Sequence, residues 1–487
     1  MNDIKNSIVA HVNWVDKFLN FELFTGKNLS EWFSPFINSI TNDGAVPYLI
    51  ETKDRFRASP LSSTIIWLSD AGLLPADALE IMQEKLLYLR DKNDLTDKDA
   101  GNPNKLPEDK DGWSLAEGVS VWSTSLAIIA LIDICGVGVK KAGQYKSSVI
   151  WLVDQQKINE KGWAYQFYRN CDDNVIMTSL ALRALSLAQQ NKTLFGFSPD
   201  EERKILTALN SGYLYLKEKM IHKKTKAYSY WCFNNTPHCV ATTWALIALR
   251  EMSKVQNIDE TVKVFYNDNI SYCFKFIISR IPKGISQWYD EQIVCEGGAK
   301  YNKQKNYYSF SPTILLELLS LGISPYHPKI VNQIIWLIKN PEDWKIKEYD
   351  QEKICTFTYT MVIATLAKWI SCAGTADSVH LLKKPVNYLE KVVLLMFGFP
   401  IIKDSPIQLV CKSRLWVLLF IVLAFPVIFI AGSSIGALFQ KAIIYFSELY
   451  KNSSQDIINN VIGGLICAFL LTFIGFLAKI RKRAFKR

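Results

Sequence analysis

One pattern recurs along this 487-residue chain and constrains its fold more than any other feature: an aromatic residue after a glycine or polar turn, a variable stretch, then an apolar helix opened by threonine. Gly112-Trp113 is followed by Thr124-Ser125-Leu126-Ala127-Ile128-Ile129-Ala130-Leu131, and Gly162-Trp163 by Thr178-Ser179-Leu180-Ala181-Leu182-Arg183-Ala184-Leu185. Tyr230-Trp231 with Thr242-Thr243-Trp244-Ala245-Leu246-Ile247-Ala248-Leu249 is a third copy. Looser copies pair Trp288 with Pro312-Thr313-Ile314 and Trp344 with Thr358-Tyr359-Thr360, and a degenerate first copy runs from Gly44 to Ser63-Thr64-Ile65-Ile66-Trp67. A second helix type precedes the turns, as in Val149-Ile150-Trp151-Leu152, Tyr213-Leu214-Tyr215-Leu216 and Ile334-Ile335-Trp336-Leu337. Self-similarity at a period of roughly 50 to 70 residues marks a repeat architecture, here with a helical hairpin as its unit.

The Thr-Ala-Leu helices are apolar on most sides and are expected to form an inner ring, with the second type outside them. About six hairpins over roughly residues 40–380 would close into an α/α toroid. The expected fold class is all-α: a toroid of about six helical hairpins plus a C-terminal pair of transmembrane helices. The expected divisions are an N-terminal helical segment (1–40), the toroid (41–384), an amphipathic connector (385–411), and a membrane hairpin with a basic tail (412–487). Trp151-Leu152-Val153-Asp154-Gln155-Gln156 followed by Gly162-Trp163 resembles the aromatic-Leu-x-x-x-Gln…Gly-Trp repeat of the squalene-cyclase and protein-prenyltransferase superfamily. The resemblance implies the toroid for most of the chain ahead of the hairpin; function does not follow from fold.

The C-terminal part has a different composition. No charged residue occurs from Leu415 to Phe439 or from Ile457 to Ala478, and each stretch is long enough to span a hydrocarbon core that needs roughly 20 residues. Lys412 and Arg414 precede the first stretch, and Lys479, Arg481, Lys482 and Arg483 follow the second. Between them Lys441 and Lys451 are balanced by Glu448 and Asp456, so the positive-inside rule places both ends of the hairpin in the cytoplasm. Gly432, Gly436, Gly463 and Gly464 provide small surfaces for helix association, and a homo-oligomer is expected.

The net charge of +10 belongs largely to that end: residues 412–487 hold ten Lys and Arg against two acidic residues. The remainder is close to neutral, which excludes a wholly basic nucleic-acid-coating domain, and 14 Trp, 21 Tyr and 26 Phe exclude a disordered chain. Ten scattered cysteines without a C-x-x-C pair fit small core residues in a reducing compartment. The N-terminus has no uninterrupted apolar stretch with a small-residue cleavage site, so no secretory signal is expected. The expected location is the membrane, crossed twice, with the N-terminal domain and the C-terminal tail cytoplasmic.

Three chemistries are open. Asn170-Cys171-Asp172-Asp173 is similar to the Asp-x-Asp-Asp motif of class II terpene cyclases, in which the middle Asp protonates an alkene. The resemblance makes Asp172 that acid and Asp173 its neighbour, although Asn170 occupies the first position. The alternative is capping, because Asp and Asn near a helix start accept backbone hydrogen bonds. Protein prenyltransferases hold zinc with Asp, Cys and His from successive inner helices, and Cys171, Asp172 and His238 are the corresponding weak candidates. Adjacent placement of the Asp and Cys departs from that family, and packing or capping is the competing role.

The third chemistry is anion binding at the mouth of the ring. Arg55 and Arg57, Tyr168 and Arg169, and Lys300, Lys303, Lys305, Tyr307 and Tyr308 all stand just before inner helices, whose N-termini add partial positive charge. Cations interleaved with aromatics suit an anionic small molecule, a single-stranded oligonucleotide or a prenyl diphosphate; ordinary solvated loops are the plainer alternative. No cofactor is expected. The acidic loop Asp94, Asp97, Asp99, Glu108, Asp109 and Asp111 lacks the spacing of a calcium loop.

A toroid followed by two terminal spans and a basic tail looks like the membrane effectors of bacterial anti-phage nucleotide-signalling systems. That architecture implies a ligand-sensing protein, with the bilayer as partner and an ion channel as one output. The competing expectation is a membrane-associated terpene cyclase or prenyltransferase-like enzyme.

Overall fold

The computed structural model describes residues 3–373 except 20–21, 23–26, 51–55, 93–110, 116–117, 133–135, 157–160, 165–172, 224, 226, 289–291, 297–304, 310, 345 and 349–350. The expected connector and both expected spans lie outside the described residues. Among the described residues, no helix is long and apolar enough to cross a membrane.

Helices alternate along the chain between two roles. After α1 (Asp3–Leu19) come α2 (Leu29–Ser39), α3 (Ala58–Asp70), α4 (Ala76–Lys92), α5 (Val121–Ile132), α6 (Lys146–Asp154) and α7 (Val175–Gln190). They continue as α8 (Pro199–Lys219), α9 (Cys239–Met252), α10 (Glu260–Arg280), α11 (Ser311–Ser320), α12 (Pro328–Lys339) and α13 (Thr356–Ala373). The odd-numbered helices from α3 onward are the Thr-Ala-Leu type. They are buried almost all round, whereas α8 and α10 expose one long face. Each packs against the next, α3 on α5, α5 on α7, α7 on α9, α9 on α11 and α11 on α13, and α13 returns to α3. Among the described residues six inner helices thus form a closed ring, an α/α toroid.

The repeated tryptophan explains why each hairpin closes in the same way. The indole N–H of Trp113, Trp163, Trp231 and Trp344 donates to the carbonyl of Leu86, Leu152, Leu216 and Leu337 in the preceding outer helix, the last three of them in its final turn. In the first three of these units the same residue's backbone N–H donates to the inner-helix threonine, Thr124, Thr178 or Thr242, at 3.0–3.1 Å. Its carbonyl accepts from the residue that precedes the inner helix: Ser120, Asn174 or His238. One buried tryptophan therefore satisfies the end of one helix and the entry to the next, where backbone groups would otherwise be orphaned.

Glycine before the tryptophan has a steric cause in two units. A methyl group on Gly162 would lie 2.6 Å from Asp173 Oδ2 and 3.0 Å from Thr178 Oγ1; on Gly112 it would lie 2.7 Å from Thr124 Oγ1. In the third unit Tyr230 occupies the equivalent place.

The ring closes where its first and last inner helices meet. Thr356 N–H donates to the Tyr48 carbonyl at 3.1 Å, Thr356 Oγ1 to that of Pro47 at 2.5 Å, and Ile50 N–H to that of Ile354 at 3.1 Å. At the other end of the same two helices Lys368 Nζ approaches Asp70 Oδ1 at 3.4 Å, and Ser320 Oγ donates to Asp70 Oδ2 at 3.1 Å. Helices α1 and α2 pack together and against α13, beside this seam.

The fold is mostly helical, as expected, with short strands between the helices. The turns that lead into inner helices contain short antiparallel strands: β1 (Ser114–Leu115) with β2 (Gly118–Val119), β3 (Ile221–Lys223) with β4 (Tyr228–Tyr230), and β5 (Cys232–Phe233) with β6 (Thr236–Pro237). Strands β7 (Gln292–Glu296), β8 (Lys305–Ser309), β9 (Ile346–Glu348) and β10 (Gln351–Lys353) form one sheet in the order β10-β9-β8-β7. The cause is local: a segment that leaves one helix and returns to start the next pairs its own backbone groups.

Candidate ligand site at the rim and axis of the ring

Every inner helix is entered from a loop pinned by backbone pairing. The bridge between Pro47 and Phe56 precedes α3, β1–β2 precedes α5, and the bridge between Ala164 and Asp173 precedes α7. The pair β5–β6 precedes α9, and the four-stranded sheet supplies the entries to α11 and α13. Because consecutive helices in a short hairpin run antiparallel, the six inner helices start at one end of the ring, and these loops form its rim. The helix dipoles add partial positive charge at that rim.

The structure locates part of the predicted rim set. Arg57 is the residue immediately before α3 and is half-exposed. Lys305, Tyr307 and Tyr308 are in β8, with Tyr308 paired to Ile293, Lys305 paired to Glu296, and Tyr307 between Val294 and Lys347. Arg55, Tyr168, Arg169, Lys300 and Lys303 lie outside the described residues, as do Cys171 and Asp172. Ala164 and Asp173 pair across an isolated bridge just before α7.

Asp173 and His238 have definite places. Asp173 is half-buried, with Oδ2 directed back over Gly162 and the Trp163 turn. Its neighbour Asn174 caps α7, accepting from Met177 N at 2.9 Å. His238 takes the same position in α9: its Nδ1 accepts from Ala241 N at 3.4 Å, its ring lies 5.6 Å from Phe233, and it is 5% exposed. Capping, the alternative to zinc ligation, is therefore a function His238 performs. Among the described residues no group of three His, Cys, Asp or Glu side chains is placed to hold a metal.

The axis of the ring holds residues that sequence reasoning did not select. Trp122 from α5 and Trp244 from α9 meet there at 5.8 Å between ring centroids, and the Trp122 indole N–H donates to Ser59 Oγ at 2.8 Å. Arg183 from α7 and Glu317 from α11 approach to 3.8 Å and are both largely buried. Together with Ser63, Trp67 and Ser179 they line a cavity of about 20 Å3, room for roughly one water molecule. Arg183 and Glu317 each interrupt an otherwise uncharged helix, and that interruption was the available signal. A charge in such a place needs a partner, because an unpaired buried ion is costly.

No family model matches the chain, and no curated protein matches it. Among solved structures it is similar to the GH76A α-1,6-mannanase from Salegentibacter sp. HEL1_6, with 10% identity, a TM-score of 0.43, and coverage of 76% of this chain and 99% of that one. An inactive variant of the same mannanase in complex with α-1,6-mannotriose aligns with a TM-score of 0.42. An unsaturated glucuronyl hydrolase specific for heparin aligns at 11% identity with a TM-score of 0.37, covering 76% of this chain and 98% of that one.

Proposed function

We propose that the chain is a membrane-anchored ligand sensor. In this reading its ring, a squalene-cyclase and prenyltransferase-like toroid adapted to binding, takes an anionic ligand at the rim and controls an oligomeric hairpin formed by residues 412–487. The observation that supports binding over catalysis is the filled axis. Terpene cyclases and prenyltransferases need an apolar chamber for a long substrate, whereas among the described residues Trp122, Trp244 and the Arg183–Glu317 pair line a cavity of about 20 Å3. Six inner-helix entries, with Arg57 and Lys305 among their residues, make the rim the favourable place for negative charge. Nucleotides, short oligonucleotides and diphosphates share that chemistry. The two apolar stretches 415–439 and 457–478 supply the anchor, and an effector of anti-phage signalling fits this combination.

Control of the hairpin requires the ligand to bind two conformations with different affinity, since tight binding alone shifts nothing. The test is ion flux from liposomes that contain the purified full chain, with nucleotides, short oligonucleotides and prenyl diphosphates titrated in turn. One ligand class should change the flux, and Arg57→Glu with Lys305→Glu should weaken both binding and the flux response. Background flux under every ligand, together with conversion of an isoprenoid that Asp172→Asn abolishes, would replace this reading with the enzymatic one.

A further inference from the structure

Several lysines of the ring wall are paired with carboxylates: Lys85 with Asp43, Lys141 with Glu84, Lys146 with Glu201, Lys192 with Glu202, Lys254 with Glu251, Lys263 with Glu260 and Lys368 with Asp70. Lys219 at the end of α8, Lys223 in β3 and Lys275 on α10 are exposed, and among the described residues none has a carboxylate within 4 Å. The hairpin β3–β4 lies on α10, with Tyr230 and Phe276 rings stacked at 4.8 Å and His222 against Tyr272 at 5.3 Å, so Lys223 and Lys275 share this face. Each ammonium sits over a tyrosine: Lys219 over Tyr215 at 5.5 Å, Lys223 over Tyr230 at 5.7 Å and Lys275 over Tyr272 at 5.5 Å. Ile221 is 39% exposed and lies two residues from Lys223 along the strand, on the same side. Glu218 and Asp268 are the carboxylates nearest in sequence on α8 and α10.

We propose that this face docks on the anionic headgroup layer of the bilayer that anchors the chain, an inference that rests on the membrane reading above. Three features favour lipid over nucleic acid. The cations are lysines, compact point charges suited to a diffuse headgroup layer, and residues 219–230 contain no arginine to grip a phosphate in two-pronged fashion. Tyr215 and Tyr230 are 4% exposed beneath the lysine stems, so neither offers a ring on which a base could stack. An aliphatic side chain set beside cations matches the boundary between headgroups and acyl chains. Each lysine at such a surface is worth roughly a fivefold factor in partitioning, so three together give on the order of a hundredfold preference for anionic over neutral lipid.

The test is hydrogen exchange of segment 219–230 in the full chain, reconstituted in nanodiscs of phosphatidylcholine alone or mixed with phosphatidylserine. Exchange should slow several-fold in the anionic discs and recover at high salt. The variant Lys219→Gln, Lys223→Gln, Lys275→Gln should exchange at the neutral-disc rate in both. Equal exchange in both lipids, with the chain inserted, overturns the docking surface and leaves the membrane anchor intact. A chain that does not enter discs removes the anchor and the docking surface together. Protection by single-stranded oligonucleotide but not by anionic lipid reassigns the face to nucleic acid.

Discussion

At the scale of single residues, the Trp-Thr staple is what the repeat encodes, and Gly162 tests it. Gly162→Ala pushes a methyl group to 2.6 Å from Asp173 Oδ2 and 3.0 Å from Thr178 Oγ1, the atom that already accepts from Trp163 N–H. The expected cost is about 1–3 kcal/mol, read from the denaturant midpoint. Gly143→Ala is the control, because nothing lies within 4 Å of the added methyl group, and it should stay within about 0.5 kcal/mol of the parent. Equal effects at both sites would mean that the close approach at Gly162 does not exist. The Gly-Trp and Thr positions were readable as a pattern, but their hydrogen bonds were not. Nothing in the string Pro237-His238-Cys239 distinguishes a histidine that caps a helix from one that binds a metal until the Ala241 amide is placed beside its ring.

At the scale of elements, α12 carries a pH sensor of its own stability. His327 caps it, with Nδ1 accepting from Lys329 N at 3.3 Å, and the following Pro328 suits the first helical position. Burial and the nearby Lys329 charge hold the His327 pKa below its ordinary 6.5. The unfolded chain therefore takes up the proton first. The cap's contribution is complete above about pH 6.5 and is lost as pH falls through the lower folded value. His327→Asn keeps a capping acceptor without the titration, so its stability relative to wild type should rise between about pH 8 and 5. A difference that stays constant over that range would show that the imidazole does not cap α12 as a neutral group. Helices were legible in sequence because apolar residues repeat over many turns. The rim strands, two to five residues each, are too short to display a period and are fixed by the loops folding back on themselves.

At the scale of the whole molecule, the sequence implied a ring but not what fills it. Closure follows from the number of hairpins, whereas the axis is set by side chains from α5, α7, α9 and α11, which are remote in sequence and meet only once the ring is complete. Glu317→Gln should destabilise by on the order of 3 kcal/mol by leaving Arg183 buried beside a neutral group, and Arg183→Met with Glu317→Leu together should restore most of that loss. Additive losses in the double variant would mean the two side chains do not interact across the ring. The most direct measurement is an electron cryomicroscopy map of the full chain purified from membranes with its natural lipid and small-molecule content. A ring that binds at its rim predicts Trp122 and Trp244 in contact on the axis, with any added density confined to the loops before the inner helices. An elongated density on the axis, with the two indoles parted around it, would contradict that account and make the ring a catalytic chamber.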